Sequence, residues 1–351
     1  MTNKETPPNQ ADWQALYQAA LEFKEIEAWT WIHEADVFGV QDPVSGEIGY
    51  CCITGSLGEM FALAVYLGSE GLESYMRVAS EPPLDSTQVF EELMLQKCLM
   101  ASFGSRDELT KEDRQVIKRV GLKFRGRTAW PRFRSYRPAY HPWYLSADEA
   151  RFLTLALQQA REVCLRFKED PALFEPPQEE LWFVRVPEET EDGLSWRDAW
   201  LEPALLEEEE LPSVPLDELR LARLKKAAQP TEAIWEMDFF LAPSAVQENK
   251  DERPHYPYLT MIVDHSSGFV FGTDLASPET YQAEFPMRFL ALAEKLKKLP
   301  TELWVKREDA YDLLEPLTSR LGVELYLVDD LESLEDARTA LGRFMGVPDL
   351  L

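Results

Sequence analysis

The order of strand and helix patterns between Thr231 and Gly346 restricts the fold more than any other feature of the sequence. The residues of Ile234–Leu241 alternate, and one face carries Trp235, Met237, Phe239 and Leu241, which is typical of a strand. An apolar strand at Tyr258–Val263 follows, and the turn Asp264–Gly268 connects it to a third strand, Phe269–Leu275. The pattern then runs through a helix from Ser277 to Leu296, strand Leu303–Val305, helix 307–321, strand Val323–Val328 and helix Leu331–Met345. This order, β-β-β-α-β-α-β-α, predicts a mixed five-stranded sheet covered by helices.

That order is similar to the ribonuclease H-like fold, which includes the cores of retroviral integrases and transposases. Two local motifs add to the resemblance. Transposase cores often open with Trp, two residues and Asp on the first strand, and Trp235-Glu236-Met237-Asp238 stands in that place. They often continue with a strand that ends in Val-Asp, followed by two residues and then a small residue in the turn, which Tyr258–Gly268 matches. The resemblance covers about a third of the chain and implies a C-terminal ribonuclease H-like α/β domain.

The resemblance also implies a metal site, because enzymes of this fold hold two divalent cations with carboxylates. Asp238 would be the first catalytic and metal ligand, with Mg or Mn as the cofactor. The candidates for the carboxylate of the last helix are Glu332, Glu335 and Asp336. Where a second carboxylate belongs, at the end of the fourth strand, the sequence instead reads Val305-Lys306-Arg307.

Two functions remain open for this domain. A base beside Asp238 would neutralise the site, which favours a structural Asp238, no cofactor and a non-catalytic binding or scaffolding protein with a degenerate domain. The alternative is a metal-dependent nuclease or phosphodiester-transfer enzyme with a rearranged set of carboxylates.

The N-terminal part predicts an α+β domain over residues 1–168. A hairpin is indicated at Asp36–Val40 and Ile48–Thr54, and Ser146–Glu149 is a capping box that opens a helix to Lys168. Further helices are expected at 11–26, 58–78, 86–101 and 107–120. The segments Phe133–Pro138 and His141–Leu145 resemble bacterial proteins known only as domains of unknown function, which implies no activity.

Residues 169–230 predict an acidic connector with a short helix at Leu216–Ala228, followed by the C-terminal domain at 231–351. Between 169 and 218 there are seventeen acidic residues, and the basic ones are Arg185 and Arg197. Such a segment is expected to be solvated, although Leu181–Val186 could form a strand.

The net charge of −27 opposes binding of the chain as a whole to nucleic acid or to anionic membranes. One basic segment, Lys111–Arg137, has a balance of +8 and interleaves arginines with aromatic residues, a combination that single-strand and phosphate sites use. Its candidate anion or nucleic-acid contacts are Lys123, Arg125, Arg127, Arg132, Arg134 and Arg137. Docking against the acidic 169–218 region or the C-terminal domain is favoured over nucleic acid, because the rest of the chain carries −35.

The four cysteines, Cys51, Cys52, Cys98 and Cys164, show no metal-binding spacing. No apolar stretch is long enough for a membrane helix, and no secretory signal is apparent, so a cytoplasmic location with reduced thiols is expected.

Overall fold

The computed structural model describes residues 6–58, 60–80, 86–191, 193–206, 211–212, 216–250 and 252–345. The chain divides into two compact units, which are described separately. The first comprises Met1–Pro82, Glu92–Pro138 and Pro142–Leu206, and the second comprises Pro83–Glu91, Ala139–His141 and Glu207–Leu351. Within the described ranges, no helix is long and apolar enough to cross a membrane. Both units combine helices and sheets, so the predicted mixed α/β class is confirmed.

A seven-stranded sheet organises the first unit. Its strands are β1 (Phe38–Gln41), β2 (Ile48–Thr54), β3 (Phe61–Leu67), β4 (Cys98–Gly104), β5 (Trp130–Tyr136), β6 (Trp182–Thr190) and β7 (Gly193–Leu201). They lie in the order β5-β4-β3-β2-β1-β6-β7, and neighbours are antiparallel except β1 and β6. The predicted hairpin is confirmed, since β1 and β2 pair through the turn that follows Gln41.

The helices of this unit are α1 (Gln10–Glu25), α2 (Gly68–Ser80), α4 (Lys111–Arg119) and α5 (Ala147–Glu169); α3 (Ser86–Met94) divides between the units after Glu91. The predicted capping box of α5 is confirmed, because the Ser146 side chain accepts from the Glu149 amide and Glu149 accepts from the Ser146 amide. Buried residues of α1 and α5, including Leu16, Phe23 and Leu153, form one core with the inward side chains of the sheet.

Two predicted helices of the first unit are wrong over part of their length. Phe61–Leu67 is a strand within the predicted helix 58–78, and the predicted helix 86–101 ends at Met94 before strand Cys98–Gly104. Both strands are central and buried along most of their length. A strand buried on both faces shows a continuous apolar run, which periodicity alone does not distinguish from a buried helix.

The acidic region differs from the predicted connector, because β6 and β7 form a long antiparallel hairpin in the sheet. Phe183 and Val184 are buried in β6, whereas the acidic residues at the far end of that strand are exposed. Arg185 is also buried, and it pairs with Asp198 and Glu162. Both strands belong to the first unit, which runs to Leu206. The acidic run at 207–210 lies outside the described residues.

A five-stranded mixed sheet organises the second unit. Its strands are β9 (Ile234–Leu241), β10 (Tyr258–Asp264), β11 (Val270–Ala276), β13 (Glu302–Val305) and β14 (Glu324–Leu327), and a separate two-residue pair joins β8 (Gln229–Pro230) to β12 (Lys298–Leu299). The order is β11-β10-β9-β13-β14. Strand β10 is antiparallel to both β9 and β11, whereas β13 lies parallel to both β9 and β14.

Helices cover both faces of this sheet. They are α6 (Glu218–Ala227), α7 (Tyr281–Leu296), α8 (Glu308–Leu321) and α9 (Glu332–Met345). Alternate residues of β9 point to opposite faces. Trp235 and Phe239 contact Phe289 and Phe285 of α7. On the other face, Phe240 packs with Leu331 and Leu334 around the start of α9, and this is the face that carries Glu236 and Asp238.

Candidate functional site

Asp238 lies near the middle of the central strand β9, opposite Met261 of β10. Its side chain is only 8% exposed. The Nε atom of Arg307 lies 3.3 Å from Asp238 Oδ1, and the Phe239 amide donates a hydrogen bond of 2.8 Å to the same oxygen. Arg307 follows β13, the parallel neighbour of β9, so the topology of the sheet brings this base to the carboxylate. This is the strand-end base that the sequence analysis set against a metal site.

Glu91 and Arg338 complete the cluster. Arg307 Nη2 lies 3.3 Å from Glu91 Oε1, and Arg338 Nη2 lies 2.6 Å from Glu91 Oε2. The side chains of Glu91 and Arg338 are 9% and 14% exposed. We call Glu91, Asp238, Arg307 and Arg338 the Asp238 network. Two carboxylates and two guanidinium groups therefore neutralise each other in a nearly closed site.

Burial dominates the electrostatics of Asp238. It raises the pKa of this carboxyl above the ordinary value, and the opposing effect of Arg307 is smaller. Burial alone would lower the pKa of Arg307, but Asp238 and Glu91 outweigh it, so that pKa is raised. Arg307 therefore stays charged, and it holds the two carboxylates together.

The carboxylates expected from the last helix are not brought to Asp238. Glu335 contacts Lys306 at 2.8 Å, and Asp330 contacts the same ammonium group at 3.1 Å. Glu332 and Asp336 are exposed. In the part of the chain that the structure describes, no group of three or more His, Cys, Asp and Glu side chains converges in a way that could hold a metal ion.

A second buried carboxylate on the same face, Glu236, is bound entirely within the second unit. Its Oε2 accepts a hydrogen bond of 2.7 Å from the Leu334 amide of α9, and its Oε1 lies 2.5 Å from His265 Nδ1. His265 also accepts a hydrogen bond from Ser333 at its carbonyl oxygen. Glu236 thus joins β9, the turn after β10 and the first turn of α9, which is a structural use of its charge.

A basic groove lies in the first unit, between α4, the loop after it and the start of β5. It has a volume of about 470 Å³ and is lined by Arg106, Arg114, Ile117, Lys118, Gly121, Leu122, Lys123, Phe124, Arg125 and Trp130. We call these residues the basic groove. Lys123 and Arg125 were predicted as anion contacts and do line it. Arg127 is exposed outside the lining, and Arg132 is also outside it.

Arg134 and Arg137 form ion pairs inside the first unit. The two terminal nitrogens of Arg134, Nη1 and Nη2, donate hydrogen bonds of 3.0 and 2.7 Å to the two carboxylate oxygens of Asp113. Arg137 Nη2 lies 3.1 Å from Glu149 Oε1. Docking of the basic segment against the C-terminal domain or the acidic 169–218 region stays a prediction, although these two arginines have acidic partners close by in the first unit. Asp198 of that region pairs with Arg166 and Arg185 instead. Asp113 and Glu149 are the first-turn acids of α4 and α5, which places them beside the basic strand β5.

Sequence reasoning missed several members of both clusters. Glu91 and Arg338 come from helices far apart in the chain, and no local pattern connects either to Asp238. Arg106 lies before the segment that was counted as basic. A local signal existed for Arg114 and Lys118, because two like charges four residues apart share one face of a helix.

Two family models match the chain, and both describe domains of unknown function. Residues 13–185 match DUF7309, and residues 220–342 match DUF6930. No curated protein matches the chain.

Solved structures with some similarity are retroviral integrases. The catalytic core of HTLV-2 integrase in complex with magnesium is 18% identical, and the match covers 34% of this chain and 77% of that one at a TM-score of 0.24. The catalytic core of BIV integrase is 16% identical, with 33% and 74% covered and a TM-score of 0.22. A chain of the simian T-cell lymphotropic virus intasome is 18% identical, with 36% and 46% covered and a TM-score of 0.25. At such TM-scores the similarities carry no argument about fold or activity.

Proposed function

We propose that this chain, which carries two domains of unknown function, is a non-catalytic binding or scaffolding protein whose second unit is a degenerate ribonuclease H-like domain. The support for the fold is the strand order β11-β10-β9-β13-β14, with three antiparallel strands followed by two parallel ones joined through helices. Asp238 occupies the central strand, where such enzymes carry their first metal ligand.

The observation that carries the proposal is the contact of Arg307 with Asp238. A divalent cation needs converging oxygen ligands, whereas here a guanidinium group already lies 3.3 Å from the carboxylate. A cation would be repelled by Arg307, and by Arg338 on Glu91 close by. The residues present therefore do not fit the metal pair that the fold family uses. Their own role is to balance the charge of the buried carboxylates on this face of β9.

The experiment is a titration of the full chain with Mn²⁺, followed by the electron paramagnetic resonance signal of the free ion. We expect no saturable binding that depends on Asp238. The matched control pair is Asp238→Asn and Asp312→Asn, which remove a buried carboxylate and an exposed one that is not a candidate metal ligand.

A cleavage assay with single- and double-stranded DNA and RNA, with Mg²⁺ or Mn²⁺, completes this test. We expect no cleavage above the level that the Asp238→Asn variant gives. Metal binding and cleavage that Asp238→Asn abolishes and Asp312→Asn retains would overturn the proposal in favour of a metal-dependent nuclease with a rearranged carboxylate set.

A further inference from the structure

The basic groove concentrates positive charge in a chain that is otherwise strongly acidic. Its charged lining consists of Arg106, Arg114, Lys118, Lys123 and Arg125, and no carboxylate is among the lining residues. The whole chain has 63 acidic residues against 36 basic ones, so an unmixed basic lining is contrary to its composition. None of the five cations forms an ion pair with a carboxylate in the described ranges of the chain.

Three acidic residues that are close to the groove cations in sequence form hydrogen bonds with other groups. Glu108 accepts a hydrogen bond of 2.7 Å from the Ser105 amide, as part of a capping box. Asp113 is held by both nitrogens of Arg134, and Glu112 accepts a hydrogen bond from the Tyr144 hydroxyl. These three carboxylates therefore have other partners, and the groove cations stay available to a ligand.

The arrangement also costs the protein stability. Arg114 and Lys118 lie one turn apart on α4, where like charges destabilise a helix. Lys123 and Arg125 add further positive charge from the loop after that helix. Local repulsion that the fold does not relieve is typical of a site that a bound anion completes.

The groove has an apolar wall beside its charges. Phe124 and Trp130 are half-buried and pack edge to face, with ring centroids 5.5 Å apart. Phe124 also stacks on the buried Tyr17, with centroids 6.2 Å apart at 27°. Leu122 lies beside them in the lining. A rigid aromatic wall next to a group of cations suits a ligand that has a flat ring joined to several negative charges.

We infer that the basic groove binds a nucleoside polyphosphate, with the phosphates among the five cations and the base against the wall of Leu122, Phe124 and Trp130. The volume of about 470 Å³ suits one such molecule. A nucleic-acid strand would need a track of charge that continues beyond the groove, whereas these cations surround one compartment. Arg119 and Arg127 are exposed and are not among the lining residues, so a nucleotide bound in the groove does not need them. The inference does not depend on the state of the Asp238 network.

The test is isothermal titration calorimetry of the full chain with ATP, in EDTA so that no metal bridges ligand and protein. The test variant is Lys123→Ala with Arg125→Ala, and the control, which removes the same charge from the same part of the chain, is Arg119→Ala with Arg127→Ala. We expect the test variant to lose about tenfold or more in affinity and the control about twofold or less, because hydrogen bonds to charged groups contribute strongly. Circular dichroism of both variants verifies that they are folded.

Two further probes separate the ligand classes. Inorganic tripolyphosphate should bind more weakly than ATP, because only ATP carries a ring that packs on the aromatic wall. The chain has ten tryptophans, so a fluorescence change that ATP causes is assigned to Trp130 by its loss in a Trp130→Phe variant. Equal affinity for ATP and tripolyphosphate would contradict the role of the aromatic wall. A different result would identify a nucleic-acid strand as the ligand instead of a nucleotide. In that case an oligonucleotide would bind more tightly than ATP, and its affinity would fall as much in the Arg119→Ala, Arg127→Ala variant as in the test variant. Absence of ATP binding at millimolar concentration would reject the site.

Discussion

The Asp238 network and the basic groove use cationic side chains in opposite ways. In the network, Arg307 and Arg338 are matched by two carboxylates that are almost completely buried, and the Arg307 side chain is 33% exposed. In the groove, five cations face one open compartment with no carboxylate in the lining. The comparison shows that a charged cluster is not by itself evidence of a binding site. What distinguishes the two is whether the chain supplies the opposite charge itself.

A similar contrast exists between two buried aspartates. Asp113 receives two hydrogen bonds from Arg134 as well as donors from Thr110, and these outweigh the effect of burial, so its pKa is lowered. Asp238 has a single Arg307 contact and Glu91 as a nearby like charge, and burial leaves its pKa raised. An arginine partner therefore does not by itself lower the pKa of a buried carboxyl group. The number of donors and the neighbouring charges decide the direction.

The largest effect is expected for Arg307→Ala. It leaves Asp238 and Glu91 buried with one guanidinium group fewer, and breaking a buried pair costs about 3 kcal/mol or more. The measurement is the free energy of unfolding in urea at neutral pH. The control is Arg320→Ala, which removes an arginine half-exposed in its pair with Glu218 and should cost about 1 kcal/mol or less. Equal losses for the two variants would show that the network does not hold the second unit together.

A smaller effect, with a size that depends on pH, is expected at Asp113. Because its pKa is lowered in the folded chain, its stabilisation is present above the unfolded value of about 4 and is lost as the pH falls through the folded pKa. Asp113→Asn should cost about 1 to 3 kcal/mol near neutral pH and less in acid. Asp238 acts in the opposite direction, since its raised pKa makes protonation favour the folded state.

Urea unfolding at about pH 7, pH 5 and pH 3 tests this contrast in the wild type, Asp113→Asn and Asp238→Asn. The loss of stability in acid should be smaller in Asp113→Asn than in the wild type. It should be larger in Asp238→Asn, because that variant lacks the group that gains from protonation. Parallel pH profiles in all three proteins would contradict the assignment of opposite directions.

Much of the second unit could be predicted from its sequence because its patterns are local. The alternation at Ile234–Leu241 and the apolar run at Tyr258–Val263 lie where strands β9 and β10 are found. The pairing of Asp238 with a base at the end of β13 also followed from the strand order, since parallel neighbours in one sheet bring those positions together. Helix caps such as Ser146 were readable for the same reason, because both partners lie within four residues.

The remainder depended on contacts between distant residues. Phe61–Leu67 is a strand because it pairs on both sides with other strands, and its apolar run alone fits a helix equally well. The hairpin of β6 and β7 is held by β1, although its acidic composition indicated a connector. Glu91 reaches Arg307 and Arg338 from more than two hundred positions away in the chain, as the separations of 216 and 247 residues show. Arg106 joins the basic groove from the turn before α4, outside the segment that the charge balance marks as basic.

We infer that the stability of the fold does not depend on the groove cations, whereas it does depend on the cations of the Asp238 network. The most direct measurement is hydrogen exchange, resolved by peptide, of Lys123→Ala with Arg125→Ala beside Arg307→Ala. The account predicts that protection of α4 and β5 stays within about 0.5 kcal/mol of wild type in the groove variant, or rises as repulsion is relieved. Protection of β9 and α9 should fall by about 3 kcal/mol or more in Arg307→Ala, if global opening governs exchange there. A comparable loss of protection around the groove would contradict the account, because those cations would then be part of the structure's own charge balance.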